Sequence, residues 1–301
     1  MVDASWFGGV SRPIISEMVA QSNSSANGSL YHYTSSAGLL GIVSSGSLRF
    51  ADATFMNDGS ETLHGIMLFI EQLKRFLSDK PEIDRAFGAE LERALPHAAY
   101  FMKPYIFCVS DTPDLLNQWR DYGADVVPYC IELDVASLAN SNEFNFPIYV
   151  AQVIYDENYQ RFISWRLIEQ IYSRYKSLPA GLEVDDATKN AMLNVVATEI
   201  FFVICRFKNS GFASEKEWRF ISHGVNVTQF AQPEFRVGKL GVIPYFEYRK
   251  RDHAIDKRLP ITAVWVGPSP YAQTSEYGLQ QLLARYGYDT VRTAYSQIPI
   301  R

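Results

Sequence analysis

The chain predicts an α+β fold, a sheet built from strands near both ends with a helical insertion at about 157–207. Two observations carry this expectation. Short apolar or alternating runs of strand length fall into an early group (31–34, 48–50, 105–110, 128–134, 148–155) and a late one (217–222, 240–248, 261–267, 290–295). Between the groups, 157–176 and 185–207 have the length and spacing of long helices. With 301 residues, 47% hydrophobic and 20% charged, the chain can bury a large core. We expect a loosely ordered leader over 1–29, which turns rich in Ser, Asn and Gly, with one helical turn near 14–20. A single domain over 30–301 follows.

The stretch 30–61 is a compact unit. Tyr31-His32-Tyr33-Thr34 reads as a strand, Leu39–Val43 as a short apolar helix stopped by Gly46, and Leu48–Phe50 as a second strand. Asn57, Asp58 and Glu61 add a polar cluster. Either a binding site or an ordinary hairpin-like core piece accounts for this pattern. Further on, Leu63, Ile66, Met67, Ile70, Leu73 and Leu77 recur at helical spacing, and a second helix spans 83–95. After the strand 105–110, Asp111 or Thr112 is a candidate cap, Pro113 fits the first helical position and Gly123 the stop. On that helix Trp119 and Tyr122 either line a pocket or anchor the helix. SLPAGLE links the two long helices, Asn209-Ser210-Gly211 ends the second, and 277–286 forms the last helix.

A net charge of −5 argues against general phosphate-backbone binding. Arg249-Lys250-Arg251 reads as a solvated loop, or as a local approach to phosphate. The three cysteines, Cys108, Cys130 and Cys205, are far apart and odd in number, which suits a reducing, cytoplasmic setting better than a disulfide framework. No uninterrupted apolar run of about 18 residues is present, so no membrane partner is expected. The aromatic fraction of 14% suits ring-lined pockets or a thick core equally.

The sharpest chemical signal is Ser214-Glu215-Lys216-Glu217-Trp218-Arg219. On an extended segment Glu215 and Glu217 share one face with Arg219, while Trp218 and Phe220 take the other. Close carboxylates raise at least one pKa unless Arg219 or Lys216 offsets them. Such a pair suits a reaction that develops positive charge, and an edge strand with a wetted charged face has the same pattern. There is no HExxH, CxxC pair, GxGxxG after a strand, GxxxxGK[ST] or GxSxG, so zinc, P-loop, dinucleotide-fold and serine-elbow readings lack support, and no metal is expected.

Taken in order, LYHYTSSAGLLGIVSSGSLRF, FMNDGSE, FCVSDTPDLLNQWRDYG, ASEKEWRFIS and the closing VWVGPSP with SQIPIR resemble the DUF2971 family of bacterial proteins. The aromatic-His-x-Thr strand, helix and Gly-x-Leu strand also resemble the first block of ADP-ribosyltransferase-like folds. That second resemblance implies a split β-sheet core and NAD as substrate. It implies His32 and Thr34 as NAD-binding residues on the first strand, Glu217 as the catalytic glutamate and Glu215 as the upstream member of Glu-x-Glu. A stacking ring from Tyr33 or Trp119, with Thr54, Phe55 or Asn57 as further middle-block candidates and Arg219 beside the carboxylates, would complete the site. His32 would donate to ribose or adenylate oxygens. The implied activity is transfer of ADP-ribose to an unknown protein or nucleic-acid acceptor, in bacterial toxicity or anti-phage defence. Hydrolysis of NAD, and a non-catalytic module sensing a nucleotide or peptide, are the alternatives.

Overall fold

A computed structural model describes residues 3–25, 28–55, 60–101, 104–123, 125–140, 142–179, 181, 184–222, 228, 231–238 and 241–299. The expected loose leader is instead ordered over 4–25. A 3-10 turn (Ala4–Phe7) leads into helix α1 (Arg12–Ser25). Phe7, Val10, Ile14 and Met18 recur every three or four positions and are buried. The Glu199 carboxylate, on a later helix, accepts from the Gly9 amide at 2.8 Å and the Ser11 amide at 3.0 Å. The polar composition of this segment hides one apolar stripe that the helical core covers.

Strand β1 (Ser29–Thr34), helix α2 (Ser36–Ser45) and strand β2 (Ser47–Asp52) form a β-α-β unit, not a hairpin. Ser35 Oγ accepts from the Gly38 amide at 3.2 Å to cap α2. Gly46 ends the helix in the left-handed region at φ 61°, where a side chain would be strained. Helices α3 (Ser60–Leu77) and α4 (Glu82–Phe101) follow, then β3 (Tyr105–Ser110).

β3 organises the sheet. Along one edge it pairs over its full length with β6 (Glu217–Ser222), which in turn pairs with β5 (Tyr149–Gln152). Its other edge meets β1 and β2 at opposite ends: Tyr31 lies against Ser110, Ala51 against Ile106 and Asp52 against Tyr105. Both strands run antiparallel to β3 and hence parallel to each other, yet they part in between. Beyond β1 the sheet continues through β4 (Tyr129–Asp134), β9 (Ile261–Val266) and β10 (Arg292–Tyr295). Beyond β2 it continues through β8 (Gly241–Arg249) and β7 (Glu234–Gly238), an exposed strand the sequence pattern does not reveal. The β9–β10 pair is parallel, so the sheet is mixed.

Two cores hold these layers. Leu48, Phe50, Ile131, Trp218, Phe220, Tyr248 and Val264 of the sheet pack with Leu39 and Val43 of α2, and with Leu279 and Leu283 of a late helix, Ala272–Arg285. The second core joins α1, α3 and α4 to the insertion helices Glu157–Lys176 and Asp186–Ile204. The latter helix is long and apolar enough to cross a membrane by composition alone. Here Met192, Val196, Ala197, Ile200, Phe201 and Val203 are buried within the protein, so its apolarity is that of a central core helix.

Candidate functional site

Where β1 and β2 part, a half-open cleft of about 350 Å³ lies against β3. His32, Tyr33 and Thr34 of β1, Arg49 and Ala51 of β2, Phe107 and Cys108 of β3, and Glu217 and Arg219 of β6 all line it, together with Tyr122, Lys208 and Arg236. Of the residues singled out from the sequence, His32, Tyr33, Thr34, Phe55, Tyr122, Glu217 and Arg219 therefore share one cavity. Asn57 lies outside the described residues.

The cleft's chemistry starts from the parted sheet. The Cys108 carbonyl lies in the part of β3 where β1 and β2 separate, and His32 Nδ1 donates to it at 2.9 Å. The ring packs on Phe107 with centroids 4.3 Å apart. Burial holds the imidazole down to about 4, only partly opposed by the Cys108 carbonyl. The ring is therefore neutral near pH 7, with its proton on Nδ1 and Nε2 left as an acceptor. This reverses the expected direction. In this state His32 offers Nε2 as an acceptor for a hydroxyl and has no second N–H to donate.

The acidic pair also differs from the expected extended ladder. Glu215 ends a 3-10 turn (Ser210–Glu215), Lys216 adopts a left-handed conformation at φ 49°, and the strand starts only at Glu217. The turn folds Glu215 back so that both carboxylates meet one cation that sequence reasoning missed. Lys208 Nζ donates to Glu215 Oε2 at 2.6 Å and to Glu217 Oε2 at 2.9 Å. Arg219 Nε donates to Glu217 Oε1 at 2.7 Å, and its Nη2 to Oε2 at 3.1 Å. Another guanidinium nitrogen of Arg219 donates to the Cys205 carbonyl. Lys216, the other expected counter-charge, donates instead to Thr112 Oγ1 at 3.3 Å.

All four charged groups of this network are at least nine-tenths buried, and β6 is an interior strand, which excludes a wetted edge. Burial alone would push Glu217 up. Arg219 and then Lys208 overcome it and hold the carboxyl at about 2. The Cys108 thiol also lies against Glu217, and burial followed by that carboxylate raises it, so it stays protonated. Tyr122, raised by burial and then by Glu215, approaches Glu215 Oε1 at 3.4 Å.

The two rings expected to stack on a ligand are occupied otherwise. Tyr33 Oη donates to the Thr112 carbonyl at 2.7 Å and accepts from the Leu115 amide at 2.9 Å. Its ring meets Trp119 edge-on, with centroids 4.7 Å apart. Trp119 does not line the cleft. It is 4% exposed, and its Nε1 donates to Asp114 Oδ1 at 2.7 Å, a carboxylate that also accepts from Ser296 Oγ at 2.6 Å.

The helix expected from Pro113 begins at Leu116 instead, as a short α5 (Leu116–Gln118) that widens into a π-turn, Trp119–Gly123. Asp114 is thereby kept in the loop, and Trp119 is the anchor of this corner. A Cβ on Gly267 would lie 2.6 Å from Pro128 Cγ and 2.8 Å from the Trp119 ring. Gly267→Ala should therefore cost about 1–3 kcal/mol in chemical denaturation, and a loss below ~0.5 kcal/mol would show this corner to be loosely packed.

No curated protein and no solved structure matches the chain. Residues 118–220 match the family model described as "Protein of unknown function (DUF2971)". This span runs from α5 through the insertion helices, where no motif was legible, and takes in Lys208, Glu215, Glu217 and Arg219. The resemblance read from the motif order is thus borne out over that segment, and the chain carries the DUF2971 pattern there.

Proposed function

We propose that the cleft binds NAD and that the protein is an ADP-ribosyltransferase-like enzyme. It would break the nicotinamide–ribose bond and pass ADP-ribose to a protein or nucleic-acid acceptor. The observation that carries this reading is that His32 of β1 and Glu217 of β6 open onto one cleft. In the reaction the C–N bond electrons leave with nicotinamide, the ribose carbon becomes oxocarbenium-like, and an acceptor lone pair closes on it. His32 Nε2 would accept from a ribose hydroxyl and orient the sugar. Glu217, ionised at neutral pH, would face the developing positive charge. The buried walls supplied by Phe107 and Ile106 would exclude water around the ribose.

A second reading has its own support. Glu217 already accepts from Lys208 and twice from Arg219, and the Cys108 thiol lies against it. A carboxylate so fully partnered can fix a ligand's orientation without reaching a reacting centre, as in a nucleotide-sensing module. The weakest donor of the set, the Cys108 thiol, would be the one to yield to a ribose hydroxyl.

Calorimetry with NAD, together with an assay for released nicotinamide, separates the readings. Binding with release supports the enzyme, binding of intact NAD supports the sensor, and no binding sinks both. Product analysis distinguishes transfer from hydrolysis. Because His32 titrates at about 4, NAD affinity should be flat between pH 5.5 and 8. A step in affinity near 6.5 would show that the imidazole charges in the cleft.

A further inference from the structure

We propose that Arg49 and Arg236 form a diphosphate subsite on the β2–β8–β7 side of the cleft. The proposal rests on the cleft being a nucleotide site and not on any turnover there.

Both side chains line the cavity from separate strands. Arg49 and Ala51 project from the same face of β2, opposite to Leu48 and Phe50, which enter the sheet core. The Arg49 guanidinium lies 5.1 Å from the centroid of the Tyr245 ring, which fixes where the planar group sits. Burial weakens the hold of Arg236 on its proton, and the nearby charge of Arg49 weakens it further. Among the described residues neither guanidinium has a carboxylate partner, and Glu247, opposite Arg49 in register, makes no ion pair with it.

Two like charges held together beside a cavity are electrostatically unfavourable until an anion joins them. The other cations of the cleft are already engaged, since Lys208 binds Glu215 and Glu217, and Arg219 binds Glu217. That leaves the Arg49–Arg236 side as the place where a ligand's negative charge is compensated, in a chain whose net charge is −5. Each guanidinium presents a planar fork that matches phosphate oxygens in pairs. Two forks on strands separated by β8 alone suit two linked phosphates better than one. Both line a half-open cleft of about 350 Å³, Arg49 at its exposed side, a volume that suits a small diphosphate better than a run of nucleic-acid backbone.

The test measures binding of inorganic pyrophosphate, ADP and AMP to the wild type, Arg49→Met, Arg236→Met and the double variant, with melting temperature as the folding control. Pyrophosphate and ADP should bind the wild type, and ADP should bind more tightly than AMP. Each single substitution should weaken ADP on the order of tenfold, and the double on the order of a hundredfold. The ADP-over-AMP preference should close in the double variant. Arg236→Met should leave the ligand-free melting temperature unchanged or raised, because a repulsion is removed. Arg236→Lys, which keeps the charge without the fork, should recover part of the affinity.

Failure of millimolar pyrophosphate to bind the wild type would overturn the subsite, as would unchanged pyrophosphate affinity in a folded double variant. Preferred binding of a single-stranded oligonucleotide that the arginine variants lose would overturn the small-ligand assignment. Arginine-dependent pyrophosphate binding without any NAD binding would leave the subsite standing and remove the NAD reading.

Discussion

Lys208→Met should cost about 3–5 kcal/mol of stability at pH 7, the largest loss expected from any single change of charge in this molecule. The ammonium bridges Glu215 and Glu217 at 2.6 and 2.9 Å, and all three groups are buried. Methionine fills the space and retains the packing of the stem, so the loss isolates the charge. Glu217 would keep Arg219, whereas Glu215 would lose the ammonium it meets at 2.6 Å.

The pH dependence of the same variant gives a sharper test than the size of the loss. In the wild type, Glu217 titrates at about 2 when folded, below its ordinary value of 4.5. Its contribution is therefore fully present above about pH 4.5 and is lost as the pH falls toward 2. In Lys208→Met the ammonium that favours the charged form of Glu215 is gone, and burial drives that carboxyl toward its neutral form, raising its folded pKa. Between pH 7 and 5 the native variant takes up a proton that the unfolded chain does not, and its deficit narrows. Denaturant titrations of both proteins at pH 7 and pH 5 read this directly. A deficit below ~1 kcal/mol, or one that does not change with pH, would mean that water reaches the network.

How far the sequence discloses this molecule depends on the range of the interactions involved. Strand and helix identities in 29–52, 105–110 and 217–222 follow local alternation and glycine stops, and these were legible. So was the sharing of one face by Glu217 and Arg219, because a period of two needs only the strand assignment. The left-handed Lys216 was not legible, since a non-glycine residue at positive φ carries no composition signal. Lys208 was missed for another reason. It follows a long apolar helix in an unremarkable turn, and only the tertiary fold brings it to the two carboxylates.

Trp119 shows where two readings of one residue are decided by a distant contact. The helix pattern allows a pocket wall or an anchor and favours the anchor, and Asp114 with Ser296, from the far end of the chain, fixes it as the anchor. The cleft itself was beyond sequence reasoning, because it arises where two parallel strands meet one edge of a third at different heights. Arg49 and Arg236 lie on strands that meet only through β8, and nothing in their spacing joins them.

On the proposed enzymatic reading, Glu217→Gln should lower the maximal rate of nicotinamide release on the order of a hundredfold or more while NAD affinity changes only a few-fold. The amide keeps the shape of the carboxylate and removes its charge. A loss confined to the maximal rate then reports a group whose interaction strengthens as the ribose becomes cationic, and a loss confined to affinity reports one that only positions the ligand. The substitution also disturbs the network, since an amide nitrogen would face Lys208 or Arg219, donor against donor. Glu217→Asp supplies the control. It keeps the charge for the two cations but shortens the reach toward the cleft, so a catalytic glutamate predicts a near-native melting temperature with a strongly reduced rate.

The acid side of the rate profile should be flat down to pH 5 in the wild type, because Glu217 stays ionised to about 2. A folded Glu217→Gln protein that releases nicotinamide within tenfold of the wild-type rate would remove this residue from the chemistry. The four-group cluster would then be the buried strut that holds β6 against β3, and the sensor reading would take its place.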